Sequence, residues 1–211
     1  MTDSIHELIE ASEAYLRRFR SEGVRDVVSG IVRWKSGPLR KVTPQPDPRC
    51  GFLDEALAAI ADADDLRAAI AAARPVLKWI TYDLYPREEI GPRFPEAHAF
   101  VPLIGGTAPV HADDFELGLF LIAPRTLYRD HRHAAPEIYA PLTGPHGWRF
   151  GIDEPFHDRP AHEPVWNPSL AVHATLVKDV PFLCLYGWTR DVDMPAMTVP
   201  APDWDMIEAR L

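Results

Sequence analysis

No apolar run in this 211-residue chain approaches the roughly 20 residues that span a bilayer, which removes a transmembrane-helix reading. Positive charge is scarce. Lys and Arg number 22 against 31 Asp and Glu, leaving a formal net charge of −9 and a pI near 5.4. Nucleic acid and anionic membrane surfaces are therefore poor partners. There are only two cysteines, Cys50 and Cys184, too few and too far apart in sequence for a disulfide framework. Reduced thiols and a cytoplasmic location are expected. No G-x-G-x-x-G or P-loop pattern is present, and no serine stands in a nucleophile elbow; the usual dinucleotide, nucleotide and serine-hydrolase readings fall away. Internal repeats and low-complexity segments are also missing. The opening stretch "MTDSIHELIEASEAYLRRF" is amphipathic and carries acids, unlike a signal or transit peptide.

Proline, by contrast, is abundant. The 22 prolines are roughly twice the usual share of about 5% and favour turns and strand ends over long helices. Helical signals are confined to the first part of the chain. Ile5, Leu8, Ile9, Tyr15, Leu16 and Phe19 recur at helical spacing, Ser4 and Glu7 form a capping-box pattern, and Gly23 is expected to stop the run. "KSGPLRKVTPQPDPRCG" breaks the pattern with four prolines and two glycines. One or two Ala- and Leu-rich helices follow, and Pro75 should separate the second from a short segment beyond it. After about residue 90 short apolar or alternating runs take over, including "AHAFVPLIG", "FELGLFLIA", "EIYAPLTG", "LAVHATLV" and "FLCLYGW". Gly, Pro, Asp and Asn separate them, as in an antiparallel sandwich or barrel. Two regions are expected: helical over residues 1–90, β over residues 91–211. The helices have two readings, a cover over one barrel mouth or a docking and homodimerisation surface.

Chemistry concentrates in "YRDHRHAAPEIYAPLTG". His131 and His133 are two apart, so on a strand they share a face; Glu137 and Tyr139 are likewise two apart and join that face if the strand continues after a turn at "AAP". Imidazoles plus a carboxylate suit a divalent metal such as Zn²⁺, Fe²⁺, Mn²⁺, Ni²⁺ or Co²⁺. The full spacing, HxH(x)₃E(x)₆G ending at Gly144, resembles the first metal motif of the cupin superfamily, whose fold is a double-stranded β-helix (jelly-roll) barrel. Gly144 is expected to end the strand in a turn at positive φ. The second cupin motif resembles "NPSLAVHATLV", with Pro168 five before His173, and implies His173 as a further ligand. Leu170 and Val177 stand where that motif has glycine and asparagine, and Arg125 where the first motif opens with glycine. These departures fall on turns rather than ligands. His146, His157 and His162 are expected at the surface, and His6, His98 and His111 receive no role.

The aromatic residues discriminate further. Tyr139 follows Glu137 by two, so a bound cation would favour its phenolate and prepare a general base. Tyr128 can line the same cavity, and Trp188 in "LYGW" can offer its ring to a sulfonium or ammonium group. With the helical lead-in, these features resemble the cupin-type dimethylsulfoniopropionate lyases, the specific motifs lying between residues 128 and 188. The resemblance implies a metal held by His131, His133, Glu137 and His173. It also implies Tyr139 as base, Tyr128 as an aid to binding or proton transfer, and Trp188 against the sulfonium. The substrate would be a small carboxylate, eliminated to dimethyl sulfide and acrylate. The residues alone leave open a metal-dependent lyase, isomerase or dioxygenase on another small carboxylate, or a non-catalytic binder.

Overall fold

The computed structural model describes residues 3–211. Its helical part comprises α1 (Asp3–Leu16), α2 (Val24–Trp34), α3 (Leu53–Ala59) and α4 (Asp64–Ala73), with the short α5 (Arg87–Ile90) and α6 (Phe94–Ala97) leading into the barrel. α1 begins before Ser4, so Ser4 stands within the first turn rather than capping it. The helix also stops at Leu16, well ahead of Gly23. Gly23 instead opens α2 at φ 77°, where a Cβ would lie 2.0 Å from the Trp166 ring. Pro75 ends α4 in a single 3₁₀ turn, Arg74–Val76, and the chain beyond it is extended, bridging to Gln45 and Phe100.

The strands are β1 (His98–Gly105), β2 (Val110–His111), β3 (Glu116–Ile122), β4 (Thr126–Arg132), β5 (Glu137–Pro141), β6 (His146–Arg149), β7 (His157–Arg159), β8 (Val165–Asn167), β9 (His173–Val177), β10 (Phe182–Trp188) and β11 (Met197–Thr198); α7 (Trp204–Glu208) closes the chain. One sheet runs β2-β1-β3-β10-β5-β8 and the other β11-β4-β9-β6-β7. Every ladder is antiparallel except the short β1–β2 pair. This is the cupin jelly-roll barrel with helices ahead of it.

Strand alternation explains why the six-stranded sheet is apolar on both faces. Leu117, Leu119, Leu121 and Leu185 form one core cluster with Leu8, Val27, Ile31 and Ile70 of the helices. Phe120, Tyr139, Cys184 and Tyr186 point the other way, into the barrel. Helices α1, α2 and α4 thus pack on the outer face of the larger sheet. Each fully buried Leu or Ile there contributes about 1.5–3 kcal/mol. Among the described residues, no helix is long and apolar enough to cross a membrane.

Candidate metal centre and its aromatic cavity

His131 and Glu137 do not lie on one continued strand. β4 belongs to the five-stranded sheet and β5 to the six-stranded one, so the turn after His133 carries the chain across the barrel. The side chains still meet, because they approach from facing sheets. Tyr128 and His131 both point inward although they are three apart, which simple alternation forbids. The β4–β9 register shifts between them, and such a bulge re-aims the side chains that follow. Their rings stack with centroids 3.9 Å apart.

His173, at the start of β9, is the cross-strand partner of His131. Nitrogen atoms of His131, His133 and His173 gather within 4.8 Å of one another, all three residues buried. In each ring Nδ1 meets a backbone carbonyl: Arg129 O at 2.8 Å, Ala135 O at 2.7 Å and Ala171 O at 2.9 Å respectively. A carbonyl only accepts, so Nδ1 carries the proton and Nε2 keeps its lone pair. Nε2 of His131 and of His173 is buried with no hydrogen-bond partner. Unpartnered buried acceptors facing one another are costly, and a divalent cation is the guest that such a donor set fits. Burial, then the neighbouring His173 and His133, hold His131 well below the ordinary imidazole range, in the neutral form that ligation requires.

Glu137 closes the group from the opposite sheet. Its Oε2 lies 3.2 Å from His133 Nε2 and 3.5 Å from His173 Nε2. In the tautomer fixed by Ala135 O, His133 Nε2 and this oxygen are both acceptors, so a proton or a metal ion must lie between them. Asn167 donates to Oε2 at 3.1 Å and Trp188 Nε1 to Oε1 at 2.6 Å. Burial pushes the Glu137 carboxyl up, but His133 and then His173 outweigh it and hold the group below the usual carboxylate range.

A cavity of about 130 Å³ opens beside this group, walled by Phe100, Phe120, Tyr128, Tyr139, Tyr186 and Trp188. Tyr139 faces inward, its ring centroid 6.4 Å from that of His173. Burial and then the Glu137 charge push its hydroxyl well above the ordinary phenol range, so any phenolate depends on a cation bound close by. Tyr128 shares a 2.8 Å hydrogen bond with Tyr85. Trp188 stacks on His133, with centroids 4.7 Å apart.

Several site residues carried no legible signal. Tyr82 and Tyr85 arrive from the segment ahead of α5, fixed where His98 Nε2 accepts the Tyr82 amide at 2.9 Å and Nδ1 donates to Phe94 O at 2.7 Å. No periodicity marks that segment. Asn167 heads the stretch "NPSLAVHATLV" with nothing in its spacing to mark it. Glu116 had a signal, an acid in phase with the inward positions of "FELGLFLIA". Gly144 does not adopt a positive φ; it is required because a Cβ would lie 2.8 Å from the Ala161 backbone nitrogen. His157 is exposed as expected, but His146 is buried against Phe182 and His162 is half-buried, hydrogen-bonded to Tyr15 at 2.8 Å. Their proline- and glycine-rich context described the turns rather than these rings.

The sequence-family model described as dimethylsulfoniopropionate lyase matches residues 26–184. The dimethylsulfoniopropionate lyase DddQ of Ruegeria pomeroyi is 31% identical over 137 residues, 64% of this chain and 66% of that protein. The match thus spans just under two thirds of the curated relative. The fold is shared with the crystal structure of DMSP lyase DddQ from Ruegeria pomeroyi DSS-3 (TM-score 0.70, 22% identity, 96% of this chain and 98% of that one). A chain from the crystal structures of the DMSP lyases RdDddP and RnDddQII gives a TM-score of 0.67 at 18% identity, covering 94% of this chain and 98% of that one.

Proposed function

Because the chain belongs to the dimethylsulfoniopropionate lyase family of carbon–sulfur lyases, we propose that it cleaves dimethylsulfoniopropionate to dimethyl sulfide and acrylate. One observation carries the reading: three imidazole Nε2 lone pairs converge beside Tyr139 at an aromatic cavity. His131, His133 and His173, with Glu137, would hold one divalent transition metal, which when bound supplies positive charge for the substrate carboxylate and for negative charge developing beside it.

The chain's own residues account for the rest. Tyr139, ionised, takes the proton from the carbon next to the carboxylate. The C–H electron pair becomes the new double bond, the C–S bond breaks, and its pair leaves on sulfur as neutral dimethyl sulfide. Tyr128, stacked on His131 and bonded to Tyr85, orients the substrate or passes the proton on. Trp188 has its nitrogen committed to Glu137 and one ring face on His133, which leaves the other face for the sulfonium. In this reading residues 1–90 brace the barrel of residues 91–211, and the Tyr82–Tyr85 segment adds its rings to the cavity wall.

Headspace gas chromatography after adding dimethylsulfoniopropionate to protein loaded in turn with Zn²⁺, Fe²⁺, Mn²⁺, Ni²⁺ or Co²⁺ tests the proposal. Dimethyl sulfide should form, vanish on chelation and return on reloading. No gas with any of the metals would remove the substrate assignment.

A further inference from the structure

Glu116, Trp188 and Glu137 form a row across three neighbouring strands. Trp188 of β10 is paired with Glu116 of β3 on one side and with Glu137 of β5 on the other. Cross-strand partners project to the same face, so all three side chains point into the barrel, from backbones that span two strand spacings, roughly 10 Å. Glu137 belongs to the histidine end. Glu116 stands at the far end, beyond the Trp188 ring, and lines the cavity there with Phe100 and Tyr186.

A carboxylate on an aromatic cavity wall calls for a partner. Among the described residues, no Lys or Arg comes within 4.0 Å of Glu116, and none lines the cavity. The Tyr186 hydroxyl donates to it. Gly118 makes that contact possible, since a Cβ there would lie 2.6 Å from the Tyr186 ring. Burial pushes the Glu116 carboxyl up, with Tyr186 opposing the shift and Glu137 adding to it.

We infer that Glu116, oriented by Tyr186, is the counter-charge that seats the cationic end of the substrate and selects a carboxylate bearing an onium group over its neutral analogue. The assignment rests on the lyase reading in taking a zwitterion as the substrate. The row supplies both poles: the histidine group for the carboxylate, Glu116 and the aromatic faces for the cation.

Two non-reacting ligands separate charge from shape. 3-(Trimethylammonio)propanoate and 4,4-dimethylpentanoate share a carboxylate and a trimethyl end, and only the first is cationic. Calorimetric titration into Zn²⁺-loaded protein should show the cation binding more tightly by on the order of tenfold or more. Glu116→Gln, which still accepts from Tyr186, should bring the two affinities together by weakening only the cationic ligand. Equal affinities in the unaltered protein, or failure of both ligands to bind, would overturn the assignment without reference to any variant. An undiminished preference in Glu116→Gln would overturn it too. If no dimethyl sulfide is produced yet the preference exists and depends on Glu116, the lyase reading fails and this assignment stands. Gas production with an unaltered preference in the variant reverses that outcome.

Discussion

Trp188 donates its indole Nε1–H to Glu137 Oε1 at 2.6 Å, from a ring that also lies on His133. One side chain therefore holds two members of the candidate metal group in register. Outer partners of this kind are typically worth about 10–100-fold in metal affinity. Trp188→Phe keeps a ring over His133 but removes the donor, and should weaken metal binding about tenfold in a chelator competition. An unchanged affinity would reduce Trp188 to a cavity wall. His173→Ala, which removes a ligand outright, should leave most of the protein metal-free by mass spectrometry.

Tyr139 tests the chemistry rather than the site. Tyr139→Phe removes only the hydroxyl that would take the proton, and the ring keeps its place among Phe120, Trp148 and Phe182. Turnover should fall by about 10²–10⁴-fold while metal content stays constant. Initial rates together with metal analysis decide it; rates near those of the unaltered protein would mean another base operates.

His146 makes stability depend on pH. Burial pushes its pKa down from the usual 6.5 to about 4, with Lys178 adding to the effect and Asp158 opposing it. Between those values the unfolded chain takes up a proton that the folded ring refuses, so stability falls as pH drops through 6.5 toward 4. From pH 7.5 to 5.5 the unaltered protein should lose about 1 kcal/mol more than His146→Gln. Urea unfolding at the two pH values measures this, and equal losses would place the ring's titration elsewhere.

Leu170 and Arg125, at two positions where cupin motifs carry glycine, hold the left-handed conformation at φ 61° and 54°. The backbone of the motif is retained without its usual residue, at a steric cost of about 1–2 kcal/mol per position. Leu170 is 51% exposed, so truncating it gives up little burial. Leu170→Gly should raise stability by about 0.5–1 kcal/mol after its entropic cost, whereas Leu170→Val, stiffer at Cβ, should lower it. Thermal unfolding of the two variants should move in opposite directions.

The barrel was legible because β alternation and turn residues survive in a single sequence, and the gathering of His131, His133 and His173 because motif spacing brackets it. What escaped had physical reasons. Which sheet a strand joins is set by the chain's path, so the spacing alone did not show that Glu137 faces His131 from the opposite sheet. The bulge between Tyr128 and His131 breaks the parity on which inward-facing positions are counted. Tyr82 and Tyr85 reach the cavity from an irregular segment whose path depends on one distant imidazole, His98. Asn167 acquires meaning only through its pairing with Glu137.

The three Nδ1–carbonyl bonds tie the candidate ligands to main-chain oxygens of residues 129, 135 and 171. Main-chain oxygens have no codon identity, so substitution at those three positions leaves the acceptors in place as long as the local path holds. Drift in neighbouring residues is therefore tolerated, while a one-residue insertion or deletion in either turn would swing a ring away from its partners. Lineages carrying this centre should vary more readily at residues 135 and 171, which lend only main-chain oxygens, than in the lengths of the segments that present the rings.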